Sequence, residues 1–402
     1  MKRTGAFGFL ESNSDSQGND NQHHPLDELD SARVITYDSN RRFLNESAAV
    51  SDSSTETFRI LDAAANRAGE GLRVVEDFVR FGLNDGHLSR LLKECRHELA
   101  STLAVLPEAS RLAARDTLGD VGTAIGTASE YQRGSMVDVA RASFKRVQEA
   151  LRTLEEFGKL IGAESGSLAR RIEQLRYRLY TTEKAVLRTQ FSHERLLDQH
   201  LYLLVTASSC VAGCEVVVRA ALAAGVKLVQ VREKSMPDRE LVEHARRLRE
   251  WTREADALLI VNDRPDIALL AEADGVHVGQ EELSIRDARR IVGTDLLIGV
   301  STHSIEQARQ AVLDGADYLG VGPTFPSGTK SFEVFAGLEF VRQVAAEITL
   351  PWFAIGGING RNLADVRSAG ASRVAVSGAI ISATNPNKAA SELLAQLTSS
   401  HS

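Results

Sequence analysis

Between residues 200 and 400, short aliphatic and β-branched runs alternate with amphipathic stretches of helical period. The runs are YLLVTA, KLVQVREK, ALLIVND, GVHVG, LLIGVST, YLGVGPT, WFAIGG and RVAVSGA. Each is followed by a helix candidate, so the sheet they form is parallel. Eight such units in about 200 residues predict a closed (β/α)8 TIM barrel rather than an open sheet.

The preceding segment has a different rhythm. Residues 56–198 carry apolar residues at helical spacing in four long stretches, FRILDAAANRAGEGLRVVEDFVRFGL, HLSRLLKECRHELASTLAVL, VDVARASFKRVQEALRTLEEFGKLI and SLARRIEQLRYRLYTTEKAVL. This pattern predicts an all-α bundle of four to six helices. Residues 1–55 are rich in Ser, Asn, Asp and His and cannot bury enough apolar surface to offset ordering entropy, so a disordered tail is expected there. The expected organisation is thus a tail at 1–55, a helical domain at 56–198 and a barrel at 199–402.

The helical segment contains an echo. NRAGEGLRVVEDF at 66–78 aligns with KRVQEALRTLEEF at 145–157, pairing Arg67 with Arg146, Arg73 with Arg152 and Glu76 with Glu155. Two related helices facing each other are expected. One reading makes the charges i,i+3 Arg–Glu pairs on helix surfaces, each worth ~0.2–0.5 kcal/mol. The other has Arg67, Arg73, Arg146 and Arg152 converge on an anionic ligand. Both stand at this point.

The net charge of −7 argues against nucleic acid or an anionic membrane as the main partner. It leaves small polyanions open, since these need only a local cluster of cations. Three cysteines without a CxxC pair, and no apolar run of 18 residues, lead to the expectation of a cytoplasmic chain.

The strand ends carry the chemistry. On a strand at 227–234, Gln230, Arg232 and Lys234 share one face, with Val229, Val231 and Glu233 on the other. An amide and two cations at a strand's C-terminal end suit an anionic ligand, not a core. Further along come Asn262–Asp263, Gly279–Glu282, Ser301–His303, the loop PTFPSGTK at 323–330, Gly356–Gly357 and Ser377–Gly378. Glycines after the last two strands let backbone N–H groups approach a phosphate closely. Asp263 and Glu282 would repel a polyphosphate unless a hard cation bridged them, which points to Mg2+. Helix capping is the alternative for these two carboxylates.

These motifs give the barrel segment a resemblance to thiamine-phosphate synthase across residues 200–395. They are QVREK at 230–234, VNDR at 261–264, DGVHVGQEEL at 274–283, GVSTHS at 299–304, GVGPTFPSGTK at 320–330 and AIGGI at 354–358. The resemblance implies condensation of hydroxymethylpyrimidine diphosphate with hydroxyethylthiazole phosphate by a dissociative route. It implies that Gln230, Val231, Arg232, Glu233, Lys234, Asn262, Ser301 and Lys330 hold the pyrimidine diphosphate. Asp263 and Glu282 would bind Mg2+. Ser327, Gly328, Thr329, Gly357, Ser377 and Gly378 would hold the thiazole phosphate. The chain has Glu282 where the family commonly has Asp, Ser327 where Thr is common, and Ser377–Gly378 in place of an aliphatic–Ser pair. A thiazole tautomerase on a similar barrel is the competing reading; it would not need Arg232, Lys234, the Asn262–Asp263 pair or Lys330.

The helical segment resembles the ThiD2 family through DAAANRAGEGLRVVEDFVRF, LKECRHEL, ARDTLGDVGT and RVQEALRTLEEFGKL. That resemblance implies phosphorylation of hydroxymethylpyrimidine phosphate, which would make the chain multifunctional. It brings forward Arg67, Arg73, Arg115, Arg146 and Arg152 as phosphate ligands, with Asp116 or Asp120 at Mg2+. No P-loop or protein-kinase motif accompanies them. A non-catalytic module for homo-oligomerisation or docking is the alternative.

Overall fold

The computed structural model describes residues 39–124, 132–162, 165–326 and 336–399. The chain divides into two units, residues 1–51 and 52–402. Of the first, only the opening turns of a long helix fall within the described residues.

That helix, α1, runs Ser39–Asp77, and α2 (Gly86–Leu103), α3 (Glu108–Ala114), α4 (Met136–Gly158) and α5 (Ser165–Arg195) follow it. No glycine or proline interrupts residues 39–68, so nothing breaks the backbone ladder there. The helix therefore opens inside the stretch expected to be tail. It continues as one π-helical turn, Phe78–Leu83, and stops at Asn84, whose φ of 57° is left-handed. Asp85 then caps α2, Oδ1 accepting from the Leu88 N–H at 2.7 Å.

The two echoed segments lie against each other. A Cβ on Gly71 of α1 would stand 2.5 Å from Val147 Cγ2 of α4, so glycine permits the close crossing. Leu72, Val75, Leu92, Phe144, Leu151, Ile172 and Leu175 fill the bundle core.

The strands are β1 (Leu201–Val205), β2 (Leu228–Val231), β3 (Leu258–Asn262), β4 (Gly275–Val278), β5 (Leu297–Thr302), β6 (Tyr318–Val321), β7 (Trp352–Ile355) and β8 (Val374–Val376). Between them run α6 (Cys214–Ala223), α7 (Asp238–Glu254), α8 (Pro265–Leu270), α9 (Ile285–Val292), α10 (Ile305–Asp314), α11 (Gly337–Glu347) and α12 (Leu363–Ser368); α13 (Gly378–Ile381) and α14 (Pro386–Thr398) close the chain. All eight strands pair in parallel with their sequence neighbours, and β8 returns to β1 to close the barrel.

Alternation splits each strand between two environments. Leu203, Val229, Leu259, Val276, Ile298 and Leu319 belong to the outer core shared with the helices. Tyr202, Leu228, Ile260, Leu297, Tyr318, Phe353 and Ala375 fill the barrel interior. Leu196, just past α5, joins that inner cluster fully buried. Burying a leucine is worth about 1.5–3 kcal/mol, so the connection between the two parts is itself part of the core.

The bundle docks on the N-terminal ends of the strands. Asp85 Oδ2 accepts from both the N–H and the hydroxyl of Thr349 at 2.9 Å. Lys184 donates to the Asp314 carbonyl at 3.0 Å, and Arg188 pairs at 2.7 Å with Asp317, which is wholly buried. Asp314, Asp317 and Thr349 lie just before β6 and β7. The helices thus occupy the N-terminal face, and the opposite face carries the cavity. No described helix is long and apolar enough to cross a membrane.

Candidate active site

A cavity of about 390 Å³ opens at the C-terminal ends of the strands. Of the residues expected there, Gln230, Arg232, Lys234, Asn262, Asp263, Glu282, Ser301 and Ser377 line it. Val231 and Glu233 do not. Val231 sits in the outer core, and the Glu233 carboxylate accepts from the Ala207 N–H at 2.5 Å and lies 3.7 Å from His244 Nε2. Strand alternation is the reason, since both sit on the face opposite Arg232. Ser327, Gly328, Thr329 and Lys330 lie outside the described residues.

The ends of β1 and β2 are tied together below the cations. The Arg232 N–H donates to the Val205 carbonyl at 2.8 Å, and the Thr206 hydroxyl donates to the Arg232 carbonyl at 2.8 Å. Lys234 reaches Asp263 at 3.8 Å while half exposed. Asp263 has a left-handed φ of 62°, and its Oδ2 accepts from Asn262 Nδ2 at 2.6 Å. Burial and the nearby Glu282 push the Asp263 carboxyl above its usual range, with Lys234, Arg232 and the Asn262 hydrogen bond acting the other way.

On the far wall, Gly356 and Gly357 both have positive φ, 102° and 64°. A Cβ on Gly357 would stand 2.5 Å from the Pro326 carbonyl oxygen, so only glycine fits. Asn359 and Asn362 donate to the Gly357 carbonyl at 3.2 and 2.9 Å and fix the turn. Gly356 and Ser377 face the cavity, whereas Gly357 and Gly378 flank it.

The cavity floor holds residues that the strand-end reading passes over. Gln230 Nε2 donates to the Tyr202 hydroxyl at 2.6 Å, and the Tyr202 and Tyr318 hydroxyls are 2.9 Å apart. His277 Nδ1 lies 3.2 Å from the Tyr318 hydroxyl, and its Nε2 lies 2.9 Å from Ser301 Oγ. Gly299 leaves room for the Tyr318 ring, which any Cβ there would overlap. Burial, then Arg232, pulls His277 down to about 4, so the ring is neutral at pH 7. Gln280 secures the Ser301 carbonyl at 2.6 Å. The signal in the sequence is polar or polar-tipped residues at inward positions of short buried strands, above all the histidine of GVHV.

Comparison with known proteins gives this cavity a context. A family model described as thiamine monophosphate synthase matches residues 201–380, and the ThiD2 family model matches 59–185. The thiamine-phosphate synthase of a Synechocystis strain is 44% identical over 86% of this chain and 98% of its own length. The chain belongs to the thiamine-phosphate synthase family. The thiamine-phosphate synthase of Rhodopirellula baltica is also 44% identical, over 81% of this chain and 89% of that one. Among solved structures, the thiamine phosphate pyrophosphorylase from Pyrococcus furiosus is 37% identical, covering 52% of this chain and 97% of that chain with a TM-score of 0.46. A thiamine-phosphate synthase is a transferase of a pyrimidinylmethyl group in thiamine biosynthesis, and this chain is such an enzyme.

In this synthase the helical residues singled out from the sequence are mostly spoken for. Arg73 lies 3.6 Å from Glu76 and 3.4 Å from Asp77; Arg152 lies 2.6 Å from Glu155 and 2.8 Å from Glu156. Glu76 and Glu155 are buried, and each takes a second arginine from another helix, Arg96 and Arg176, at 2.9 Å. The echo is therefore two matching Arg–Glu–Arg triads. Arg115 forks onto buried Asp62 at 2.7 and 3.0 Å. Asp116 and Asp120 each accept from a nearby glycine N–H at 2.9 Å, Gly119 and Gly122, which is turn chemistry. Arg67 and Arg146 are exposed.

Proposed function

We propose that the barrel cavity joins hydroxymethylpyrimidine diphosphate to hydroxyethylthiazole phosphate, giving thiamine phosphate and diphosphate. The observation that carries this reading is one cavity lined by Arg232 and Lys234 together with Asp263 and Glu282. Gln230, Arg232, Lys234, Asn262 and Ser301 would hold the diphosphate substrate, with Lys330 as a third cation. Ser377 and the backbone at Gly357 and Gly378, together with Ser327–Thr329, would hold the thiazole phosphate. A tautomerase acting on the thiazole phosphate alone has no use for the two cations.

Asp263 and Glu282 fit Mg2+. Mg2+ takes one or two carboxylates and completes its shell with substrate oxygens and water. Burial together with the nearby Glu282 holds the Asp263 carboxyl above its usual range, a position that a cation bridging the two carboxylates would relieve. Bound there, the ion would neutralise charge on the leaving diphosphate. Arg232 and Lys234 stabilise the same charge as the carbon–oxygen bond breaks. The pyrimidinylmethyl cation so formed is captured by the thiazole nitrogen, whose lone pair makes the new carbon–nitrogen bond. No protein nucleophile enters; the residues bind, align and exclude water.

For residues 56–198, taken as a domain separate from the barrel at 199–402, we propose ATP-dependent phosphorylation of hydroxymethylpyrimidine phosphate. Its support is the ThiD2 match and the exposed Arg67 and Arg146. Two reactions test both proposals in the full-length enzyme with Mg2+ and thiazole phosphate. One supplies the pyrimidine diphosphate, the other the monophosphate with ATP. Thiamine phosphate from both supports two consecutive activities. Product from the diphosphate alone removes the kinase, and product from neither overturns the synthase mechanism.

A further inference from the structure

We infer that a hydrogen-bond chain of one sense runs through the barrel floor, Gln230 to Tyr202 to Tyr318 to His277 to Ser301, and presents an acceptor at one end and a donor at the other. The inference rests on the synthase reading only for which ligand groups meet those two ends.

The sense of the chain follows from what each group can do. An amide nitrogen only donates, so Gln230 Nε2 donates to Tyr202, 2.6 Å away. The Tyr202 proton then points to the Tyr318 oxygen at 2.9 Å, and the Tyr318 proton to His277 Nδ1 at 3.2 Å. A neutral imidazole accepting at Nδ1 carries its proton on Nε2, which donates to Ser301 Oγ at 2.9 Å. The Ser301 proton is left for the cavity. Both tyrosines and Gln230 are buried to 2% exposure or less, so water does not interrupt the relay.

The far end of Gln230 supplies the independent observation. Its Oε1 is buried without a partner, on a residue that lines the cavity. Turning the amide over would reverse every bond, placing a donor at Gln230 and an acceptor at Ser301. Ser301 shares the cavity with Arg232 and Lys234, where an anion is expected, and an anion takes a donor. The forward sense is therefore the one matched to the site. A buried acceptor at Gln230 selects a pyrimidine bearing an amino group and rejects the oxo analogue, whose oxygen would leave Oε1 unpaired. Tyr202, Tyr318 and His277 act as positioning residues that fix this specificity.

Two measurements on the full-length enzyme test it. The first reads the His277 tautomer by two-bond 15N–1H correlation on 15N-histidine-labelled protein, the signal being assigned by its loss in His277→Gln. A proton on Nε2 is expected; a proton on Nδ1 overturns the forward chain. The second compares kcat/KM for amino- and oxo-pyrimidine diphosphates. The parent enzyme is expected to prefer the amino compound by at least about 100-fold, and Tyr202→Phe to cut that preference by about tenfold or more. Tyr318→Phe is expected to leave His277 in mixed tautomers. An unchanged preference in folded Tyr202→Phe overturns the inference; should that variant not fold, the tautomer decides. Absence of product from the parent with the amino compound would overturn the synthase mechanism instead, and the tautomer would still judge the chain.

Discussion

The helical part and the barrel mouth hold similar charged residues in opposite arrangements. In the bundle, buried Glu76 and Glu155 each sit between two arginines, and Asp62 takes a fork from Arg115. In the barrel mouth, Arg232, Lys234, Asp263 and Glu282 face one cavity, and Lys234 reaches Asp263 only at 3.8 Å. Charges that satisfy each other hold helices together, whereas charges left facing a cavity are free to meet a ligand. The difference predicts that charge removal damages stability in one part and catalysis in the other.

The largest effect belongs to the mouth. Arg232→Ala or Lys234→Ala is expected to lower kcat for thiamine phosphate formation by about 10²–10³-fold while leaving the urea midpoint in place. A matching loss of stability would erase the distinction. In the bundle, Arg176→Ala leaves Glu155 buried with one partner, and unfolding by urea should show a loss of roughly 3 kcal/mol. Arg73 is half exposed, so Arg73→Ala should cost no more than about 1 kcal/mol.

Two smaller effects sharpen the contrast through pH. His277 is held down to about 4 in the fold, against an ordinary value near 6.5. The unfolded chain therefore binds the extra proton first, and stability falls as pH drops from 6.5 through about 4. In His277→Gln that acid limb should be shallower; an identical slope would sink the assignment. Asp263 shifts the other way, its carboxyl raised in the fold. Without Mg2+, its contribution is lost as pH rises from the ordinary carboxylate value through the raised one. Asp263→Asn should consequently be more stable than the parent at neutral pH without Mg2+, yet poor in synthesis and less responsive to added Mg2+. Melting curves with and without the ion check this directly.

Much of this was legible in the residues themselves. Eight short apolar runs, each followed by a helical stretch, specify the barrel because alternation and length leave little else. Gln230, Arg232 and Lys234 declare their shared face by spacing alone. The family motif carries Val231 and Glu233 along with them, although the same alternation assigns both to the opposite face. The echo between Arg73–Glu76 and Arg152–Glu155 was visible, but its meaning was not. Arg96 and Arg176, which complete the triads, come from other helices, and nothing in the local spacing of either ties it to Glu76 or Glu155.

The sequence by itself determined the repeating strand–helix order, the helical segment ahead of it and the polar strand ends, since each depends on neighbours a few residues apart. Only the tertiary structure decided which charges pair and which face a cavity. It alone put Tyr202, Tyr318 and His277 in one chain and placed the bundle on the N-terminal face of the barrel. Those outcomes depend on barrel closure and helix docking, which bring together side chains far apart along the chain, and local periodicity carries no record of such distances.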